Sequence, residues 1–173
     1  VTVPRVLTDR LLLRDFQPED VEPYVAMMAD PAVTRFLGDG QPLGRPDAWR
    51  QLAMFAGHWS LRGFGVWAVE ERATGAFVGR IGCFEPEGWP GFEIAYTLAG
   101  TAWGRGYALE GATAALRYAR DTLRRTRILS IVRPGNVRSI RVATALGATH
   151  QGDADFYGAP ARLYVYPREG TGG

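Results

Sequence analysis

The sequence predicts a single α/β domain on a mixed, mostly antiparallel sheet of about six to seven strands with about four helices. Three observations lead there. A chain of 173 residues suffices for one well-buried core and falls short of two. Its middle holds three β-like runs with short connections, "VWAVEE", "AFVGRIGCF" and "FEIAYTL", which is the mark of an antiparallel meander. The glycine-rich turn after the last run opens a helix, and a further apolar run, "RILSIV", follows it. Strand, helix and strand in that order make a parallel crossover.

Each element has its own signal. "RVLTDRLLLRDF" reads as one opening strand, and "QPEDVEPYVAMMAD" as a helix with acids in its first turn. A short helical piece in "DPAVTRFLG" leads to the Gly/Pro loop "GDGQPLGRPD". From Ala48 to about Leu61 a second amphipathic helix places Leu52, Phe55, Ala56 and Trp59 on one side. "RATG" signals the hairpin that starts the meander. The helix after the glycine turn carries a narrow face of small residues, Ala108, Ala112, Ala115, Leu116, Ala119 and Leu123, suited to close packing on a sheet. "NVRSIRVATALGA" reads as a helix with its N-cap at Asn136 and its stop at Gly147. "THQGDADF" and "ARLYVYP" make a terminal strand pair. With no repeat and no linker, residues 1–168 form one domain and 169–173, "EGTGG", a loose tail.

Composition narrows the function classes. The chain is 46% hydrophobic and 22% charged, and it has neither the long apolar run of a membrane span nor the polarity of a disordered segment. All 20 basic residues are arginines, they occur among acids, and the net charge is only +2. That pattern lacks the continuous basic stripe of a nucleic-acid surface. His58 and His150 have no Cys or acidic neighbours at ligand spacing; both read as surface or core-edge residues, and no metal is expected. The lone Cys83 cannot close an internal disulfide and reads as a small strand residue. With no leader at its start, the chain is expected to be cytoplasmic, without a membrane partner.

The stretch "AWGRGYALEG", residues 102–111, asks why glycines stand where a helix begins. They make sense if the backbone must approach an anion, because successive amides leading into a helix N-terminus form a donor nest. A mononucleotide P-loop needs a lysine, and the chain has none. A dinucleotide fingerprint needs a third glycine where Leu109 stands.

Four segments in this order, "TDRLLLRDFQPED", "GFGVWAVEERATGAFVGRIGCF", "FEIAYTL" running into "WGRGYALEG", and "NVRSIRVATALGA", resemble the GCN5-related N-acetyltransferases (GNAT). Within that family they look like the ribosomal-protein-alanine (RimJ/RimL-like) branch, and the resemblance covers nearly the whole chain. The family's pyrophosphate motif, Gln/Arg-x-x-Gly-x-Gly/Ala, falls on Trp103, Gly104, Arg105, Gly106, Tyr107 and Ala108, with Trp103 in place of the usual Gln or Arg. The resemblance implies a GNAT-like fold, acetyl-coenzyme A (acetyl-CoA) as cosubstrate, and direct transfer to a primary amine, of a protein N-terminus or of a small molecule. A homodimer is one oligomeric state it leaves open. A second class remains: a non-catalytic domain that binds or senses acyl-CoA.

Transfer of an acetyl group to an amine needs a base, a polarised carbonyl and a hydrogen-bond donor for the departing thiolate. Glu93 is the candidate base, as the family places an acid there in many members; a solvent-facing strand glutamate is its other reading. By the resemblance the Leu98 backbone amide polarises the carbonyl, though Leu98 is also a plain core residue. The tyrosine that relatives place after the asparagine falls here on Ala143. Ser139 matches the serine of the RimJ/RimL-like branch and would donate to the sulfur; its other reading is a first-turn serine satisfied locally. Asn136 is an N-cap and, by the resemblance, a contact to the pantetheine arm. Arg105 either pairs with a phosphate or lies exposed in its loop. Tyr96 and Tyr107 flank the site. "GDGQPLGRPD" and "DADFYGAPAR" are the segments expected to shape the acceptor pocket.

Overall fold

The computed structural model describes residues 2–168, so the tail at 169–173 lies outside the described residues. Within them the chain forms eight strands and five α-helices. The sheet runs β1 (Val6–Leu7), β2 (Leu11–Arg14), β3 (Val66–Glu71), β4 (Ala76–Phe84), β5 (Glu93–Leu98), β6 (Leu129–Val132), β8 (Ala159–Val165), β7 (Thr149–Phe156). β3, β4 and β5 are the antiparallel meander, and β5 pairs with β6 in parallel across the crossover helix.

The opening strand is two strands, which raises the strand number above the expected six to seven. Thr8 causes the break: its amide donates to the Leu11 carbonyl (2.9 Å) and its Oγ1 accepts from the Leu11 amide (3.0 Å). A turn closed this way folds β1 back on β2.

Five helices cover the two faces: α1 (Val21–Ala29), α2 (Pro31–Thr34), α3 (Arg45–Arg62), α4 (Tyr107–Asp121) and α5 (Val137–Ala145). Tyr24, Met27 and Met28 of α1 and Leu52 and Phe55 of α3 bury one face with Val66 and Phe84. On the opposite face Ala112, Ala115 and Ala119 of α4 pack with Ile81, Ile94 and Ala143. α4 sits close because its face is small, and a Cβ on Gly111 would run into the Ile81 side chain. In α3 the buried stripe differs from the expected one: Ala56 is exposed and His58 is buried. The His58 ring is satisfied inside, its Nδ1–H donating to the Phe64 carbonyl (2.7 Å) and its Nε2 accepting from the Glu85 amide (3.3 Å). His150 stays at the surface, but an acid does stand at useful spacing, since its Nε2 lies 2.7 Å from Asp153. Among the described residues no helix is long and apolar enough to cross a membrane.

Two features of this frame position the site. α4 begins at Gly106, which is left-handed (φ +79°), and α5 begins at Asn136, whose Oδ1 accepts from the Ser139 amide (3.2 Å). The second is a splay. β5 and β6 share backbone pairing only at Glu93 opposite Leu129, where the Leu129 amide donates to the Phe92 carbonyl (3.0 Å). Farther along, side chains replace the ladder: the Ser130 hydroxyl donates to the Ile94 carbonyl (2.6 Å), and the Ile131 amide donates to the Glu93 carboxylate (3.2 Å).

Ala143 is fully buried, so the tyrosine that the resemblance led to this position would overpack the core. Ala143→Tyr is expected to destabilise the fold by about 3 kcal/mol through overpacking. The urea midpoint checks this, and an unshifted midpoint would contradict it.

Candidate active site

Two adjoining cavities open along the splay, of about 330 and about 390 Å³. Tyr96, Thr97, Asn136 and Ser139 line both. Glu93 belongs to the first cavity; Leu98, Trp103, Gly104, Gly106, Tyr107 and Ala108 belong to the second. The structure thus brings together nine of the ten residues singled out in the sequence, and Arg105 is the exception.

Glu93 opens β5 and is 7% exposed. Its two carboxylate oxygens accept from the Trp89 indole (2.7 Å) and the Ile131 amide (3.2 Å). Burial pushes its pKa up to about 7, although both hydrogen bonds and the Arg80 charge favour the ionised form. A carboxyl poised there exchanges protons readily at neutral pH. The surface-strand reading of Glu93 does not describe this environment.

Ser139 and Tyr96 form a pair. The Tyr96 hydroxyl donates to the Ser139 carbonyl (3.0 Å), and the Ser139 hydroxyl donates back to the Tyr96 oxygen (3.1 Å). Burial, first among its causes, pushes the Tyr96 pKa up to about 12, so the phenol stays a neutral donor. Behind it, the Ser130 and Tyr166 hydroxyls lie 2.8 Å apart.

Backbone donors come from the β5 edge. The Ala99 amide bonds the Val78 carbonyl on β4 (2.9 Å). By the alternation of an antiparallel ladder, the amides of Tyr96 and Leu98 then point the other way, into the splay. The Leu98 carbonyl accepts from the Trp103 indole (3.0 Å), which fixes the start of the glycine turn.

In that turn Gly104 and Gly106 are both left-handed, at φ +74° and +79°. Among the described residues no side chain caps α4, which leaves its first amides open to a ligand. Arg105 is committed elsewhere: its guanidinium pairs with Glu71 and lies over the Tyr107 ring (4.5 Å), and the Tyr107 hydroxyl also donates to Glu71. Those bonds, the Tyr107 one first and then one from Thr74, hold the Glu71 carboxyl below its ordinary range. Arg105 therefore anchors the turn. The positive charge along the second cavity comes instead from Arg138 and Arg141 of α5, with Arg138 stacked 3.5 Å from the Trp103 ring. Among the described residues no acid lines that cavity. An uncapped helix start, two arginines and apolar walls suit a long ligand with a phosphate end and a thin arm.

Sequence reasoning missed Arg138 and Arg141, whose signal was their place one turn apart after the Asn136 cap. It gave Tyr96 no polar role, and it passed over Trp89 and Arg80, which only the folded strands bring to Glu93. Cys83 is fully buried, its thiol pushed far up by desolvation, and takes no part.

Residues 10–149 match the family model described as Acetyltransferase (GNAT) domain. An acetyltransferase structure from Agrobacterium tumefaciens superposes with a TM-score of 0.87 at 30% identity, covering 97% of this chain and 96% of that one. The uncharacterized N-acetyltransferase YoaA of Bacillus subtilis is 28% identical over 96% of this chain and 99% of its own length. RimL, a ribosomal L7/L12 α-N-protein acetyltransferase solved with coenzyme A, shares the fold at 18% identity, with a TM-score of 0.76 over 95% of this chain and 97% of its own.

Proposed function

The chain belongs to the acetyltransferase (GNAT) family, and on that premise we propose that it moves the acetyl group of acetyl-CoA directly onto a primary amine. The observation that carries this reading is the meeting of the two cavities at Tyr96, Thr97, Asn136 and Ser139. A buried carboxyl poised near neutrality stands on one side and an uncapped helix start on the other. The amides of the turn from Gly104 to Ala108, with Arg138 and Arg141, hold the phosphates, while Trp103, Tyr107 and Asn136 line the path of the arm.

The residues then divide the work. Glu93, ionised, takes a proton from the amine, whose lone pair attacks the thioester carbon. The Leu98 amide faces the carbonyl oxygen as it gains negative charge. As the C–N bond forms, the C–S bond breaks and its electron pair leaves on sulfur, where the Ser139 hydroxyl, released from Tyr96, donates a hydrogen bond. Fold likeness to RimL supports the RimJ/RimL-like branch, and a cytoplasmic monomer or homodimer is part of the same reading.

The test is coenzyme A release from acetyl-CoA over a panel of amines, with the acetylated product identified by mass spectrometry. Saturable coenzyme binding without transfer to any amine would favour the non-catalytic binding domain. Ser139→Ala is expected to lower kcat roughly ten- to hundredfold with little change in stability; equal rates would remove Ser139 from the chemistry.

A further inference from the structure

We propose that the cavity at Glu93 takes a small amine that also carries a carboxylate, an amino acid, with the carboxylate seated on Arg80. The inference rests on reading this cavity as the acceptor site.

Arg80 lies on β4 opposite Thr97, is 7% exposed, and lines the same cavity as Glu93. Its guanidinium sits over the Phe55 ring (4.5 Å), and its buried Nε has no hydrogen-bond partner. Among the described residues no carboxylate reaches ion-pair distance of it. The Tyr24 hydroxyl donates to Gln51 (2.5 Å) and its oxygen faces Arg80, but a neutral phenol brings no charge to balance the guanidinium. Glu93 feels the Arg80 charge but makes no ion pair with it, each of its oxygens accepting one bond, from Trp89 or from Ile131, with a lone pair left over.

Arg14 shows how this protein treats a buried guanidinium that has only a structural task. At 8% exposed, it is met by Asp20 (2.7 and 3.0 Å) and by Glu70 (2.8 Å). A buried charge without such partners is costly, and a guanidinium fork fits a carboxylate with two parallel bonds. The missing anion is therefore assigned to the ligand.

Placement agrees. Phe84 opposes Glu93 as Arg80 opposes Thr97, so all four side chains leave the same face of the sheet. Glu93 and Thr97 are about 13 Å apart along the strand, and Glu93 and Arg80 both line the first cavity. The proton acceptor and the anion receptor thus face one small molecule. Arg133 adds a second cation at the cavity, its guanidinium donating to the carbonyls of Gly38, Ala159 and Pro160 and, among the described residues, to no carboxylate. Two cations disfavour an acceptor with a second ammonium, such as a polyamine. Phe36, Phe55, Phe84, Trp89 and Phe156 supply apolar walls.

The probes are phenylalanine, leucine and 4-aminobutyrate, each beside its carboxamide, with spermidine and an alanine-led hexapeptide as further arms. Calorimetry on the protein loaded with coenzyme A measures binding, and coenzyme release from acetyl-CoA measures turnover. In the wild type at least one acid should bind ten times more tightly than its carboxamide or better, with KM carrying most of the difference in turnover. In Arg80→Gln that ratio should fall to about one, and Arg80→Lys should recover part of it. The wild-type ratio stands whether or not a variant folds. Equal binding of every acid and its carboxamide, a ratio that survives Arg80→Gln in a folded protein, or preference for spermidine or the peptide would overturn the proposal. Absence of binding by every acid would overturn it too. Binding of an acid through Arg80 without acetyl transfer would instead sink the acetyltransferase reading and leave this one standing.

Discussion

Glu93→Gln is expected to lower kcat/KM by roughly two to four orders of magnitude, the range for a positioned general base. Coenzyme binding should change little, since Glu93 stands in the acceptor cavity. The wild-type rate should climb as pH rises through about 7, where burial has placed the carboxyl, and the variant should lose that inflection. Stability carries the same signature with a definite sign. The folded-state pKa lies above the ordinary 4.5, so between the two values the folded protein holds a proton that the unfolded chain has lost. Glu93 thus favours the fold most at and below its ordinary pKa, and this contribution is lost as pH rises to about 7. The decline is on the order of 3 kcal/mol. Glutamine abolishes the slope and leaves either the Trp89 or the Ile131 donor facing an NH2 group. Urea titrations at pH 5 and pH 8 measure the slope, and rate profiles that coincide for the two proteins would take the base role away from Glu93.

Gly106→Val is expected to abolish coenzyme binding. Position 106 has φ +79°, a conformation that a β-branched residue resists, and a Cβ there would come within 3.3 Å of Arg10 Nη2. Arg10 is half-exposed and its guanidinium, held by Glu110 (2.7 Å) and the Arg105 carbonyl (2.8 Å), need give by only a few tenths of an ångström, so the left-handed backbone carries most of the expected effect. Relaxing that strained φ turns the α4 amides away from the nest. Coenzyme A at a hundred times its Kd should stabilise the wild type by about 2.7 kcal/mol. The variant should melt at one temperature with or without it. A thermal shift as large as that of the wild type would place the phosphates elsewhere.

What the sequence disclosed and what it hid divide along the range of the interactions. The meander, the Asn136 cap and the Gly106 turn were legible because each depends on residues a few positions apart. The single opening strand was not divided correctly, since the deciding bonds of Thr8 look like any polar interruption in an apolar run. His58 was misplaced outside the core because its partners, Phe64 and Glu85, come from a loop and from beyond a strand. Arg105 was read from its neighbours in the motif, while Glu71, which claims it, lies 34 residues away. The Arg80 environment was invisible for a similar reason: an arginine in a strand normally signals an exposed edge, and only the packed sheet shows that its Nε lacks a partner.

The splay between β5 and β6 binds catalysis and architecture to one another. With backbone pairing reduced to Glu93 opposite Leu129, the sheet is two panels meeting at a seam, and the stitches beyond that point are the Glu93 carboxylate and the Ser130 hydroxyl. The atom expected to draw the proton from the acceptor is thus also a fastener. Protonation of Glu93 is expected to slacken its grip on the Ile131 amide, and ionisation to tighten the seam. The position is constrained twice over, since glutamine would lose one of the two acceptor oxygens and aspartate would fall one methylene short of both the Trp89 and Ile131 donors.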